Sequence, residues 1–288
     1  MDFNVKKSDN LIKSIIHSVQ GVSFSVAQKM LRKGDIKVNG KRTKQNISVV
    51  PGDVVSVYMP VTKSKPNIDI VYIDENILIV NKPQGIECAT RDKSSENTYS
   101  LEELFEDKSA IVVHRLDRLT EGLVLLARNK EIAAKFEKIF RGREITKSYM
   151  AYLDGIPPFE GEMRAFFLKD SKKSISIVSD EQLDGYKEII TEFKIVNSEN
   201  NHSLVDINLK TGRTHQIRAH FAHIGTPVSN DAKYGNTQTN SPYKGYYLTA
   251  YKLSFNISDT ELKYLNDKNF EITPTWLKYI DNKYRKKK

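Results

Sequence analysis

The stretch HRLDRLTEGLVLLARN, residues 114–129, sets one acid, Asp117, among His114, Arg115 and Arg118 and then turns apolar. The run from Gly122 to Ala127 has the length and composition of a strand buried on both faces. Asp117 therefore stands at the mouth of a core, just ahead of the strand. On residue type alone it reads as a turn cap or a loop ion-pair partner, with the flanking cations as its mates. The competing reading is chemical. A carboxylate at the edge of a core needs a partner, and one that is ionised and held still is a nucleophile.

Working outward, IDIVYIDENILIVNKPQG (68–85) alternates as two strands about Asp74-Glu75-Asn76. ITKSYMAYLDG (145–155), EIITEFKIVNS (188–198), HSLVDINLK (202–210) and YYLTAYKLSFNIS (246–258) also read as strands, whereas LEELFED (101–107) and EIAAKFEKIF (131–140) have helical spacing. Strand and helix do not alternate regularly. The expected class is therefore α+β, with a mixed or antiparallel sheet flanked by a few helices rather than a doubly wound one.

A partner for Asp117 is offered by LKTGRTHQIRAHFAHIGTPVSNDAKYG, residues 209–235. Thr211-Gly212-Arg213 suggests a turn, and Thr214 is placed to cap a helix whose buried side carries Ile217, Phe221 and Ile224. Arg218 falls at the margin of that side. A cation there, beside Asp117, favours the ionised acid. His215 and His220 are five apart and share no helix face, and His220 with His223 lacks a third ligand, so no metal is expected. Tyr149 alternates with Ile145, Lys147, Ala151 and Leu153, which makes it either a core tyrosine or a ring on which a base can stack.

Charge divides the chain. Of the net +9, residues 1–65 hold +8 and the last six residues, KYRKKK, another +5, leaving 66–282 at −4. A basic module attached to a nearly neutral body fits a protein that grips a polyanion in one place and acts elsewhere. Within the module, LIKSIIHSV and SFSVAQKMLRKG read as helices, the second with Val26, Met30 and Lys33 near one face and Gly34 as its stop. DIKVNGKRTK reads as a hairpin turning at Asn39-Gly40. Lys29, Arg32, Lys33, Lys41 and Arg42 crowd this small α/β module and are its candidate polyanion contacts. The expected organisation is a basic domain at 1–62, a linker at 63–68, a larger domain carrying the Asp117 turn at 69–282 and a basic tail at 283–288.

The single cysteine, Cys88, excludes an internal disulfide and paired-thiol redox chemistry. No apolar run approaches the roughly 20 residues of a membrane span, and the start, MDFNVKKSDN, lacks the apolar core of a signal peptide. A cytoplasmic protein without a membrane role is expected. Nothing suggests a coiled coil or a large apolar interface, so a monomer is expected too.

Residues 11–59 resemble the RNA-binding domain of the ribosomal-protein-S-four type, on the strength of SVAQKMLRKGDIKVNGKRTKQNISVVPGDVV. HRLDRLTEGLVLLARN, KSYMAYLDG, the TGRTHQIRAH stretch and the earlier VNKPQG resemble, in order, the motifs of the RluA-type pseudouridine synthases. That resemblance implies a pseudouridine synthase fold and the isomerisation of uridine in structured RNA without a cofactor. Large-subunit ribosomal RNA is the expected target, with transfer RNA the alternative. It further implies that Asp117 is the catalytic aspartate, with Arg218 its partner. Tyr149 would pack on the uracil and is a candidate to take the C5 proton. Ile217 would form pocket wall, and Arg115 would fill the gap left when the nucleotide is flipped from its stack. Arg213 and His215 would face the RNA. The rival is a non-catalytic RNA-binding or ribosome-assembly factor on the same fold. Three letters depart from the pattern: Glu121 where Ser is usual, Asn230 where Gly is usual, and Thr249 where His is common. Asn tolerates a left-handed backbone, while Glu121 is expected near an RNA-facing loop, with an effect on substrate choice.

Overall fold

The structure, a computed structural model, describes residues 1–19, 22–58, 65–89, 99–170, 174–235, 243 and 245–280. The basic tail at 283–288 and part of the expected linker, 63–64, lie outside the described residues. The chain divides into two compact units, Met1–Ser64 and Lys65–Lys288.

The first unit runs β1 (Asp2–Asn4), β2 (Asp9–Asn10), α1 (Leu11–Ser18), α2 (Phe24–Lys33), β3 (Ile36–Val38), β4 (Lys41–Thr43), β5 (Ser48–Val49) and β6 (Val54–Val57). Strands pair in the order β1-β6-β3-β4, with β2 and β5 as a separate pair. Helix α2 stops at Gly34, whose φ of 76° turns the chain out of the helix. Its buried stripe is Ala27, Met30 and Leu31, while Val26 is 41% exposed. Of the three residues expected near one face, Met30 is buried while Val26 and Lys33 are exposed, because the i, i+3, i+4 set that packs inward is Ala27, Met30 and Leu31. Asn39 and Gly40 both take positive φ, as a two-residue hairpin turn requires. The Asn39 amide then donates to Asp53 Oδ1 at 2.8 Å and accepts from Val54 N–H at 2.9 Å, stapling this turn to the Pro51-Gly52 turn.

The second unit is built on one large sheet. Its elements are β7 (Asp69–Ile73), β8 (Ile77–Lys82), α3 (Leu101–Leu104), β9 (Ile111–Val112), β10 (Glu121–Ala127), α4 (Lys130–Arg141), β11 (Ile145–Asp154), β12 (Gly161–Asp170), β13 (Ile175–Ser179), β14 (Lys187–Glu199), β15 (His202–Leu209), α5 (Gln216–His223), β16 (Leu248–Phe255), β17 (Phe270–Glu271) and α6 (Leu277–Ile280). The main path is β13-β12-β14-β15-β11-β16-β10-β8-β7, with β9 paired to β10 and β17 to β16. Among the described residues, every pairing between these strands is antiparallel except β10 with β16, so the sheet is mixed. All seven residues of β10 are buried. Alternate side chains of β8 and β10 enter two cores. Leu78, Val80, Val124 and Leu126 join α5 through Ile217 and Phe221, while Ile77, Ile79, Leu123 and Leu125 join α4 through Ile132, Phe136 and Ile139.

Strand β11 departs from simple alternation. A β-bulge between Ser148 and Tyr149 shifts its register against β16. Ile145 consequently packs in the α4 core, while Tyr149, Ala151 and Leu153 pack in the α5 core. The five residues expected on one side of this strand are split at that shift, where consecutive Ser148 and Tyr149 pair with Lys252 and Ala250 and the unpaired residue between those two, Tyr251, belongs to β16.

Candidate active site

Asp117 sits in the turn before β10, and the turn is held from both ends. Thr120 N–H donates to Asp117 O at 3.0 Å, and Gly85 N–H donates to Arg118 O at 2.8 Å. The Lys82 ammonium, fully buried at the end of β8, donates to the same Arg118 carbonyl at 3.2 Å and to the carbonyls of Ile86 and Pro83 at 3.0 and 3.1 Å. Burial pushes Lys82 from its ordinary 10.5 down to about 8, against the favourable fields of Cys88, Asp117 and Glu121. His114 turns away from the site. Its Nε2 accepts from Leu125 N–H at 3.0 Å, fastening the segment to β10, and its ring lies 5.2 Å from that of Phe140.

Helix α5 brings the cation. It begins after His215, which takes the left-handed conformation at φ 55° and makes no side-chain cap, so Thr214 is not the cap expected of it. Gln216 does the fastening instead. Its Oε1 accepts from Thr211 Oγ1 and Arg213 N–H, and its Nε2 donates to Ile190 O and Thr191 Oγ1, tying the TGR turn and the helix start to β14. Two residues on, Arg218 reaches Asp117 Oδ2 with Nη1 at 3.4 Å.

That contact is the lesser one. Arg218 gives its planar fork to Asp231, Nε to Oδ2 at 2.5 Å and Nη2 to Oδ1 at 2.8 Å, and Asp231 is fully buried. The expected Asp117–Arg218 pair is therefore the edge of a triad whose bidentate partner is Asp231, the geometry in which Arg binds carboxylate best. The guanidinium lies over the ring of Tyr246 at 4.3 Å and of Tyr234 at 5.0 Å from the centroids. Burial opposes its charge, but the bonds it donates to Asp231 and the fields of Tyr246, Asp231 and Asp117 hold its pKa above the usual value. Tyr246 Oη in turn bonds Thr120 Oγ1 at 2.9 Å, closing a ring of contacts back to the Asp117 turn.

One cleft gathers Asp117, Tyr149 and Arg218 with Arg115, Arg213, His215 and Ile217. Tyr149 is 5% exposed. Burial, and then the charge of Asp117, raise its phenol pKa, so the ring is neutral at physiological pH. His215 stands between Tyr234 Oη, 2.8 Å from Nδ1, and Asp117 Oδ2, 3.8 Å from Nε2, and burial lowers its pKa. His220 bonds Thr191 Oγ1 and His223 bonds Asp180, so the three histidines face different partners. Lys29, Arg32, Lys33, Lys41 and Arg42 belong to the first unit, where all five are exposed.

Sequence reasoning missed Asp231, Tyr246 and Lys82 as parts of this site. It also misplaced Glu121, which is buried and accepts a hydrogen bond from Thr249 Oγ1 at 2.7 Å. Two of the three unusual letters are thus partners of each other. The third, Asn230, has φ 64° and uses its amide to donate to the carbonyls of Tyr243 and Gly245.

A family model described as RNA pseudouridylate synthase matches residues 76–223. The "Uncharacterized RNA pseudouridine synthase" of Mycoplasma capricolum is 32% identical, over 96% of this chain and 98% of its own length. The "Ribosomal large subunit pseudouridine synthase C" of Buchnera aphidicola is 31% identical, over 80% of this chain and 77% of its own. Among solved structures, human RNA pseudouridylate synthase domain containing 1 shares the fold, with a TM-score of 0.58 and 24% identity over 74% of this chain and 86% of that one.

Proposed function

The chain belongs to the RNA pseudouridylate synthase family and is an isomerase of uridine in RNA, and from that premise we propose that Asp117 is its catalytic aspartate and large-subunit ribosomal RNA its target. The observation that carries the first part is the contact of Arg218 Nη1 with Asp117 Oδ2 at 3.4 Å, made by an arginine already locked onto buried Asp231. An acid so placed is poised to act on the ribose of a bound uridine. The bond from C1′ to N1 breaks, the base turns, C5 takes the place of N1 on C1′, and the C5 proton is lost as N1 gains one. Atoms and charge balance without a cofactor.

The other roles follow from position. Tyr149 offers a buried, neutral ring for the uracil, an interaction of about 1–3 kcal/mol per stacked base, and Ile217 closes the apolar wall. The sugar and base edge of a stacked nucleotide are out of reach, so the target must be flipped, at a cost of a few kcal/mol. Arg115, exposed at the rim, fills the space that the nucleotide leaves. Arg213 and His215 face the phosphates. The first unit, with Lys29, Arg32, Lys33, Lys41 and Arg42 exposed, acts as an RNA grip of the ribosomal-protein-S-four type and offsets the flipping cost.

Ribosomal RNA is favoured by the names of relatives from Buchnera aphidicola, Rickettsia conorii and Rickettsia bellii, each a large-subunit pseudouridine synthase C. The test is to map pseudouridine across all RNA in cells carrying the wild type, Asp117→Asn or no copy of the gene. The expected result is one or more large-subunit positions modified only by the wild type. Positions that survive Asp117→Asn would overturn the catalytic assignment, and enzyme-dependent positions confined to transfer RNA would overturn the target.

A further inference from the structure

Glu121 opens β10 four residues after Asp117 and is 4% exposed. Its carboxylate accepts four hydrogen bonds. Oε1 receives Thr249 Oγ1 at 2.7 Å and Thr275 N–H at 2.9 Å, while Oε2 receives Tyr243 Oη at 3.0 Å and Thr275 Oγ1 at 2.6 Å. Trp276 Nε1 donates to Thr249 Oγ1 at 2.7 Å, so that hydroxyl takes one bond as it gives one. Burying a carboxylate costs several kcal/mol unless its lone pairs are met, and here uncharged groups of the protein meet them. The donors come from β16, from the segment just before α6 and from Tyr243.

Glu121 is joined by one peptide bond to Thr120, and Thr120 is the hinge of the active-site ring. Its Oγ1 holds Tyr246 Oη at 2.9 Å, its N–H holds Asp117 O at 3.0 Å, and the Tyr246 ring covers the Arg218 guanidinium. Asn230, next to Asp231 in sequence, fastens the carbonyl of Tyr243, whose hydroxyl is on Glu121. Both carboxylates that frame the arginine are therefore tied to the Glu121 junction, Asp117 in two steps through Thr120 and Asp231 in three through Tyr243 and Asn230.

We infer that Glu121 is a positioning residue for the isomerisation, and that through it the Thr275–Trp276 segment, remote from the cleft in sequence and absent from its lining, is a working part of the active site. The inference rests on the assignment of Asp117 and Arg218 above. Packing alone would need only an apolar group at the start of β10. A carboxylate that takes four donors fixes the strand end in three directions, and reacting groups displaced by about 1 Å lose rate on the order of a hundred-fold.

The experiment compares Glu121→Gln, Thr275→Ala, Thr275→Ser and Asp117→Asn as full-length proteins. The probe is total RNA from cells lacking the enzyme, which carries the unmodified target whatever its class. With enzyme in excess, pseudouridine formed at the enzyme-dependent positions is followed against time at several enzyme concentrations, and near-ultraviolet circular dichroism gives the folded fraction. Gln keeps one acceptor oxygen for Thr275 N–H and Thr249 Oγ1 but turns an amide donor toward Tyr243 Oη and Thr275 Oγ1, which both donate to Glu121 and must reverse, so the maximal rate constant of Glu121→Gln falls about ten-fold or more, with half-saturation unchanged. Thr275→Ala loses a smaller factor, and Thr275→Ser, which keeps both donors, recovers the wild-type rate. Maximal rates at the wild-type value for Glu121→Gln and Thr275→Ala would overturn the inference, as would losses that match the unfolded fraction or appear only in half-saturation. Asp117→Asn separates the two claims: if it is inactive while Glu121→Gln is unimpaired, only the inference falls; if it is active, the assignment of Asp117 falls.

Discussion

At the scale of single residues, the site turns on which acid owns the arginine. Arg218 is buried with Asp231 in a bidentate pair, and removing one member of such a pair leaves a bare charge in the interior, at a cost of about 3–5 kcal/mol. Asp231→Ala is expected to lower the stability of the second unit by that amount in denaturant unfolding and to abolish uridine isomerisation, although Asp231 need not touch the RNA. Lys82 gives a second expectation. Its folded-state pKa, about 8, lies below its ordinary 10.5, so between those values the unfolded chain binds the proton more readily. Stability therefore rises with pH from about 8 to 10.5 relative to a Lys82→Met variant, and the contribution is gone below 8; melting temperatures of the two proteins across this range check the sign. Asp117, Tyr149 and Arg218 were legible because their neighbours in sequence are distinctive. Asp231, Tyr246 and Lys82 were not, because what makes them matter is a partner brought by the fold: an arginine 13 residues away, a threonine 126 away, and a carbonyl 36 away.

Among elements, β10 is the axis. The buried run from Gly122 to Ala127 was readable as a strand, but not that its two neighbours would run in opposite senses, β8 antiparallel and β16 parallel. The parallel contact is close at Gly122, where φ is 127° and an added Cβ would lie 2.3 Å from Ala250 O. Gly122→Ala is expected to force β10 from β16, with a loss of several kcal/mol consistent with strain plus overpacking and a drop in isomerisation rate beyond the loss of folded protein. Thermal melts beside single-turnover rates would show both. Helix α5 makes the next expectation. His220, 1% exposed, is pushed by burial, and then by His223, down to about 4. The unfolded chain takes up that proton near 6.5, so stability is lost as pH falls from there toward 4. His220→Gln should flatten this part of the stability profile. The β12–β13 hairpin and the bulge opposite Ser148 and Tyr149 escaped the pattern of residues, since a one-residue bulge leaves no mark on composition and only the pairing with β16 reveals it.

For the whole molecule, charge is the property most plainly written in the sequence. The first unit holds most of the excess cations, and binding that neutralises phosphates weakens linearly in log salt, by about 0.7–0.9 in slope per phosphate. Replacing Lys41 and Arg42 together by Ala is expected to reduce the salt slope of RNA binding by about 1–2 and to leave the isomerisation rate at saturating enzyme unchanged, a split that filter binding and single-turnover assays resolve. The mixed sheet and α+β class were legible from the absence of a regular strand–helix alternation. The strand order was not, because it depends on β16, more than a hundred residues later in the chain, returning to lie beside Gly122. That return has a consequence in time. A chain emerging from the ribosome has made Asp117 long before it makes Thr249, Thr275 and Trp276, and loops closed over such separations form slowly. The acid is therefore synthesised early and supported late, so a half-made or truncated chain carries the whole HRLD turn without the shape that would let it act on RNA.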